Sequence, residues 1–428
     1  MKADCRSRTR ETLAFPEGFW WGTSTSAHQV EGGNSKNDWS EWERQPGRIA
    51  DRTVSGKCTD HYSRYGEDFD LAKSFHQNAH RLSVEWSRIE PNDGEWDWEE
   101  VAHYRRVMEA LRSRGMRVML TVWHFTLPKW FARQGGWEWS RATDRFVRLT
   151  RLLAEEYGDL VDAWITVNEP VVYLGQSYGI GVWPPGKRSA VSSLRVFFAL
   201  VGAHRAAYRT IHRILDTPER KVSVGIAKNV ITFETYRPHV LTDGIFVKIA
   251  DSVFNRQFFF WSGSESHDFI GINYYFNNRV KYVPTGVRNL FHEVHNENRE
   301  QSDLGWEINA EAIFRAIMGM WRYRKPIYVT EHGVANADDS KRPRLIVKAL
   351  REVHRAIRAG VDVRGYFHWS LLDNYEWSDG FSGRFGLIAV DYATLERTPR
   401  GSARVYGEIC RENGIPHCLL KLTGHGVG

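Results

Sequence analysis

The sequence predicts an α/β fold, a single (β/α)8 barrel with long loops at its C-terminal face. Three observations predict it. Eight short apolar runs recur along the 428 residues. Helical apolar stripes alternate with them. No Pro- or Ser-rich linker, low-complexity run or short repeat divides the chain. Most of the eight runs are continuous rather than alternating, as strands buried on both faces of a parallel sheet read. A barrel of this class commonly needs about 250 residues. The surplus is therefore assigned to loops. The whole span 1–428 reads as one domain, with 1–14 a peripheral N-terminal extension and 412–428 a peripheral C-terminal tail.

The expected strands are Trp20–Ser24, His80–Val84, Arg117–Val122, Ala163–Val167, Val222–Ala227, Phe269–Tyr274, Ile327–Thr330 and Val363–His368. Between them, Tyr62, Tyr65, Phe69 and Ala72 follow helical spacing. So do Val101, Tyr104, Met108 and Leu111, which stop at Gly115, a helix-ending residue. Further stripes run through Val196, Leu200, Ala203, Ala207 and Ile211, and through Ile346, Leu350, Val353 and Ile357, the latter ending at Gly360. A doubly wound open sheet is the competing layout, but Gly22-Thr23-Ser24-Thr25 lacks the glycine-rich turn that such a sheet places after its first strand.

Composition narrows the function. The net charge is +6, from 58 basic and 52 acidic residues interspersed along the chain, and no basic stripe suggests nucleic acid. The apolar runs are too short to span a bilayer. No apolar leader core is visible. The four cysteines, Cys5, Cys58, Cys410 and Cys418, form no CxxC pair. That spacing argues against a disulfide framework or zinc site, and points to reduced thiols in a cytoplasm. The 18 tryptophans are the unusual count, and large amphipathic rings suit ligand grooves.

In a (β/α)8 barrel the reactive groups follow the strands. Gln29 and Glu31 follow the first strand, with Arg81 inside the second and His124 after the third. The fourth ends in Asn168-Glu169-Pro170, the sixth in Asn273-Tyr274-Tyr275 and the seventh in Glu331-His332-Gly333. Trp369 closes the eighth, with Glu376-Trp377 in the loop behind it. Carboxylates, amides and indoles thus converge on one face. A lone Glu after a strand is usually a solvated loop residue. Two of them, Glu169 and Glu331, each beside amides and aromatics, form the pair that glycoside hydrolysis needs: one protonates the leaving oxygen, and the other attacks the anomeric carbon or activates water. Spacing alone does not separate retaining from inverting chemistry.

At these motifs the sequence resembles glycoside hydrolase family one, the β-glucosidase family. The resemblance is carried by Phe15-Pro16-Glu17-Gly18-Phe19-Trp20-Trp21-Gly22, Gln29-Val30-Glu31-Gly32, Asp60-His61-Tyr62, Arg81-Leu82-Ser83 and Thr166-Val167-Asn168-Glu169-Pro170. It continues through Asp268-Phe269-Ile270-Gly271-Ile272-Asn273-Tyr274-Tyr275, Tyr328-Val329-Thr330-Glu331-His332-Gly333 and Gly365–Trp377. It implies a retaining double displacement with Glu169 as acid/base and Glu331 as nucleophile, about 5–5.5 Å apart. It also implies that Arg81, Asn273 and Tyr275 support the nucleophile. Gln29, His124, Asn168, Glu376 and Trp377 would hold sugar hydroxyls, Trp369 would lie under the ring, and Trp306 would line the aglycone side. The substrate would be a terminal β-D-glucosyl unit, or a galactosyl or fucosyl one. Metal and organic cofactor would both be unnecessary.

A catalytically dead sugar-binding barrel is the reading from another class, but such a protein usually loses one carboxylate, and both are present. Transglycosylation would use the same residues. The sequence departs from the family at Phe125 and Val171, where many members carry an indole, and at His332, where Asn is usual. It also has only Ser262 to His267 between Trp261 and Asp268, a connection that is usually longer. The shortening predicts that Phe258–Trp261 is partly uncovered, giving a looser wall or a surface for association, including a homo-oligomer.

Overall fold

A computed structural model describes residues 12–283 and 299–424, and the backbone alone of 292–293. Eight parallel strands close into one barrel in chain order. They are β1 (Trp20–Ser24), β2 (Ala79–Ser83), β3 (Arg117–Trp123), β4 (Ala163–Asn168), β5 (Val224–Asn229), β6 (Phe269–Tyr274), β7 (Ile327–His332) and β8 (Val363–Trp369). All eight expected strands form, and five of them end one or two residues further on than the apolar runs do. Asn168, Asn229, Glu331 and Trp369 therefore stand on strand backbone rather than in loops, which fixes their direction. The barrel closes through β8 against β1, with Trp369 opposite Ser24, and β7 against β6, with Glu331 opposite Asn273.

The helices around the barrel include α1 (His61–Ser74), α2 (Trp98–Ser113), α3 (Ala142–Tyr157), α4 (Ala190–Leu215), α5 (Leu241–Asp251), α6 (Gln257–Ser262), α7 (Ile313–Met320), α8 (Arg342–Arg358) and α9 (Gly401–Glu412). Their starts follow capping chemistry. Asp97 accepts the Glu100 amide before α2, whose first turn carries Glu99 and Glu100, and Ser189 accepts the Ser192 amide before α4. The stripes at Val101, Tyr104, Met108 and Leu111 and at Ile346, Leu350 and Val353 are buried against the strands. The base of the barrel is filled by Met119, Ile165, Phe269, Tyr328 and Phe367, so the interior is packed and no pore runs through it. At Gly225 a Cβ would lie 2.5 Å from the Phe269 carbonyl oxygen, and only glycine permits the β5–β6 approach.

The two edges of the described span pair with each other. Asn413 takes a left-handed conformation after α9, and Gly414–Ile415 pair antiparallel with Leu13–Ala14. Ile415 and Leu419 are buried. The pairing gives the backbone groups of both ends their partners beneath the barrel. Among the described cysteines, Cys58 and Cys410 are buried free thiols.

The shortened segment before β6 splits by helix face. Phe258 and Phe259 are 0% and 2% exposed against α4 and the barrel, while Phe260 and Trp261 are 73% and 46% exposed. The wall is sealed by the first pair and uncovered at the second. Among the described residues, no helix is long and apolar enough to cross a membrane.

Asn413 joins three segments: its amide oxygen accepts the Trp21 indole N–H at 2.8 Å, and its amide nitrogen donates to the Phe15 carbonyl at 2.9 Å. Asn413→Ala removes both bonds and places a Cβ-only side chain at φ 44°. A loss of roughly 1–3 kcal/mol is expected. Thermal unfolding checks it, and an unchanged Tm would show that the closure contributes nothing.

Candidate active site

The pocket sits at the C-terminal ends of the strands. Gln29, His124, Asn168, Glu169, Tyr275, Glu331, Trp369, Glu376, Trp377 and Trp306 all line it. Arg81 and Asn273 lie beneath, fully buried. The twelve residues to which the resemblance assigns a role are therefore brought to one site, whereas Glu31 is paired with Arg88 at 3.0 Å outside it.

Arg81 projects from β2 and organises the floor. Its Nη1 donates to Glu331 Oε1, its Nη2 to Asn168 Oδ1 at 2.7 Å and its Nε to Thr121 Oγ1 at 3.1 Å. Tyr275 Oη donates to the other Glu331 oxygen at 2.8 Å. Glu331 thus receives a cation on one oxygen and a phenol on the other. Burial, and then the charges of Glu331, Glu169 and Glu376, push the Tyr275 phenol well above its usual range, so it stays a donor.

Glu169 is placed differently. It follows β4 in the left-handed region, at φ 42° and ψ 57°. A non-glycine residue there costs of order 1–3 kcal/mol and persists only where its surroundings fix it. Phe125 and Trp377, at φ 74° and 49°, line the same pocket. The Glu169 carboxyl accepts one neutral hydrogen bond, from Asn273 Nδ2 at 2.9 Å. Burial, and then repulsion from Glu331, raise its pKa to about 8. One carboxyl is thus held protonated near neutrality beside another that is paired with a guanidinium.

The remaining polar groups form a connected ring. Asn168 Oδ1 accepts from Arg81 and from Asn273 Nδ2, so its Nδ2 faces His124 Nε2 at 3.1 Å. That network makes Nε2 the acceptor and leaves the proton on Nδ1. His124 Nδ1 is buried without a protein partner, and burial and then Arg81 hold the ring neutral by driving its pKa far down. The ring is thus neutral with an unpartnered Nδ1. Gln29 Nε2 donates to Asn374 Oδ1 at 3.1 Å, the Tyr375 carbonyl at 3.0 Å and Glu376 Oε2 at 3.3 Å. Burial, then Asp379, Glu331 and Glu169, lift the Glu376 carboxyl far above its ordinary range, while the Trp369 indole opposes that shift. A diol supplying two donors would satisfy it.

The departures from the family pattern separate cleanly. Phe125 packs against Trp183 and Trp377 at 4.9 and 5.2 Å between ring centres. His332 points away from the pocket, its Nδ1 bonded to Tyr366 Oη at 2.8 Å, so that change lies in the barrel wall. Trp306 lies tilted against Phe276 and Phe385, with ring centres 4.8 and 5.8 Å away. Sequence reasoning missed Trp183, Val172, Gln176, Asn229, Phe276 and Phe385, which also line the pocket. Asn229 had a readable signal, a polar residue at a strand end. Trp183, in an aperiodic loop, had none.

The family model for glycosyl hydrolase family 1 matches residues 11–262 and 260–415. The chain belongs to glycosyl hydrolase family 1. It is 34% identical to a β-galactosidase of Sulfolobus acidocaldarius, over 96% of this chain and 98% of that one. The solved β-glycosidase from Pyrococcus horikoshii superposes with a TM-score of 0.89 at 35% identity, covering 97% of this chain and 99% of that one. A β-glucosidase from Thermotoga maritima in complex with glucoimidazole gives a TM-score of 0.88 at 29% identity, covering 94% and 100%. The protein is a β-glucosidase-type glycosyl hydrolase, and the ring of donors and acceptors around the two carboxyls fits a glycoside substrate.

Lys228 was also missed. It is buried at the end of β5, its Nζ donates to the Asn229 carbonyl, and burial lowers its pKa to about 8, with Glu169 opposing. Its charge lowers the Glu169 pKa in turn. Lys228→Met removes that charge, so Glu169 should hold its proton to higher pH. The basic limb of the kcat/KM profile should move upward. A limb that stays or falls would show that the two groups do not interact.

Proposed function

We propose that this family 1 hydrolase is a retaining, exo-acting β-glycosidase. It removes terminal non-reducing β-D-glucosyl units, and galactosyl or fucosyl ones, by double displacement through a covalent glycosyl-enzyme. The observation that carries the reading is the asymmetry of the carboxyl pair, one buried and protonated and the other held by Arg81 and Tyr275.

Glu331 attacks the anomeric carbon while Glu169 gives its proton to the leaving oxygen. Arg81 and Tyr275 orient Glu331 and stabilise its charge before attack. As the Glu331–carbon bond forms, that charge is neutralised. The repulsion that raised Glu169 is then lost, its proton affinity falls, and the carboxylate left behind can take a proton from water. Water attacks the same carbon from the opposite face to Glu331, and the product keeps the β configuration. Gln29 and Glu376, joined by a hydrogen bond of 3.3 Å, would hold sugar hydroxyls. His124 Nδ1 supplies a further donor, and Trp369 a flat apolar surface for the ring. Neither metal nor organic cofactor enters these steps. The relatives' names include both β-galactosidase and β-glucosidase, and both preferences are kept in the proposal.

Glu169→Gln should lower kcat on an unactivated glycoside by about 10²–10⁴-fold. Glu331→Gly should be nearly inactive, with azide restoring turnover to an α-glycosyl azide. A β product from that variant would defeat the assignment of Glu331. Because Glu169 must be protonated to act as acid in the free enzyme and its pKa is about 8, kcat/KM should fall as pH rises through about 8. A profile flat to pH 10 would remove Glu169 as the acid.

A further inference from the structure

Helix α5 turns hydrocarbon to solvent. Leu241, Ile245 and Ile249 recur at i, i+4 and i+8 and are 81%, 46% and 41% exposed. Asp243, by contrast, is buried and paired with Arg237, and Ala250 is buried. Phe246 stacks on Tyr282 with ring centres 4.6 Å apart, so the helix is apolar on more than one side. A surface helix of a globular protein keeps its polar residues outward, and a helix apolar all round is a buried one.

The apolar stripe continues past the helix. The chain winds on through Ser252–Arg256, where Val253 is 49% exposed, to the exposed Phe260 and Trp261 of α6. Val253 and Trp261 line one cleft with Leu194 and Phe198 of α4, and the Trp261 and Phe198 rings pack edge to face at 5.1 Å. Val191, also exposed, extends the α4 stripe by one turn. Aromatic side chains of this kind cover roughly 150–250 Å2 each, so Phe260 and Trp261 together expose about 200 Å2. The aliphatic groups of α4 and α5 add to that, and a monomeric protein rarely leaves a contiguous apolar face of this extent without a use for it.

The charges around the face are mostly of one sign. Its carboxylates are already taken, Asp251 by Arg256 and Glu265 by Arg205 at 3.9 Å. At the start of α4, Lys187 and Arg195 share the single carboxylate of Glu138. Arg188 beside them is exposed, and its Nε donates to the Ile180 carbonyl at 2.8 Å. Lys248 stands exposed on α5 between Ile245 and Ile249. Among the described residues, neither Arg188 nor Lys248 has an acidic partner.

We propose that this face docks on an anionic lipid surface. Its aliphatic groups and the two α6 rings enter the headgroup layer, and Lys187, Arg188, Arg195 and Lys248 meet lipid phosphate. Bulky hydrocarbon with an indole, edged by lysine and arginine, is the composition of a segment that lies on a bilayer. At 11 residues α5 is too short to cross one. Charge decides between lipid and a second copy of the chain. In a two-fold dimer the same patch serves both subunits, so one basic edge would meet another. An anionic leaflet presents the opposite charge. The inference is independent of the carboxyl pair and its chemistry.

The test is cosedimentation of the full chain with vesicles of phosphatidylcholine alone, and of equal parts phosphatidylcholine and phosphatidylglycerol. Binding is expected to the mixed vesicles, more weakly to the neutral ones, and should fall as salt screens the basic residues. Lys248→Gln with Arg188→Gln should weaken binding to the mixed vesicles by about fivefold per residue. Leu241→Asp with Phe260→Asp, the two most exposed groups of the face, should weaken binding to both compositions by about tenfold or more, with Tm unchanged. Should that variant unfold, hydrogen exchange of the wild-type chain decides instead: slowing on vesicles across 241–261 supports the face, and slowing confined to other segments overturns it. Protein left in the supernatant with both compositions overturns the proposal, as does binding that Leu241→Asp/Phe260→Asp leaves intact. A dimeric mass that reverts to monomer in that variant, without vesicle binding, overturns it in favour of a second copy.

Discussion

The guanidinium of Arg81 is the constraint on which the site depends. It is wholly buried within the barrel and reaches four strands at once: its own β2, Thr121 on β3, Asn168 on β4, and Thr330 and Glu331 on β7. Taking a charge into such a place is costly, and removing one partner of a buried pair leaves the other uncompensated, at about 3–5 kcal/mol. The barrel accepts this because all three nitrogens are occupied and because the fork is planar and cannot deprotonate. The geometry of Glu331 and the orientation of the Asn168 amide, hence the tautomer of His124, follow from that single side chain. Lysine in its place would supply charge without the fork.

Around this polar centre stands an aromatic lattice that accounts for much of the tryptophan excess. Trp39 packs on Trp377 at 4.8 Å and on Trp183 at 5.5 Å, and Trp123 on Trp137 at 5.0 Å. Trp39 and Trp137 are fully buried and touch no ligand position. Trp39 packs directly on Trp377, and Trp137 reaches Phe125 only through Trp123, 6.3 Å from it; Trp377 and Phe125 both hold positive φ at the pocket wall. Rigid rings packed edge to face resist the rotamer changes that would release such backbones. The indoles therefore divide into a few that line the pocket and a larger set that packs behind them.

The strands and the residues at their ends were legible in the sequence because both depend on local pattern: an apolar run, then a polar residue. Glu169, Glu331, Asn273 and Trp369 stood where that pattern put them. Trp183 and Phe276 were not legible, since loops from different strands converge on the pocket by distances that no spacing encodes. Lys228 was hidden for another reason. A lysine near a strand end reads as a solvated residue, and only the closed barrel reveals that it is buried within reach of Glu169's charge. The fate of Phe258–Trp261 was half legible. The shortened connection pointed to exposure, but a one-turn helix divides four consecutive aromatics between two faces, so Phe258 and Phe259 went inward and Phe260 and Trp261 outward.

The division of labour between the two carboxyls needs no difference in their own chemistry. Both are glutamates at the ends of parallel strands facing one pocket. Glu331 meets the guanidinium and a phenol, while Glu169 meets one amide N–H, from Asn273. Asn273 can offer only that hydrogen because its amide nitrogen is shared with Asn168 Oδ1 and its oxygen is taken by Thr330 Oγ1 at 2.7 Å. A cation stabilises the ionised form of one group, and that ionised neighbour then raises the proton affinity of the other. The asymmetry is therefore self-reinforcing: the better Arg81 holds Glu331 as a carboxylate, the more firmly Glu169 keeps its proton. The same coupling makes it reversible, because any bond to Glu331 that neutralises its charge lowers Glu169 at once.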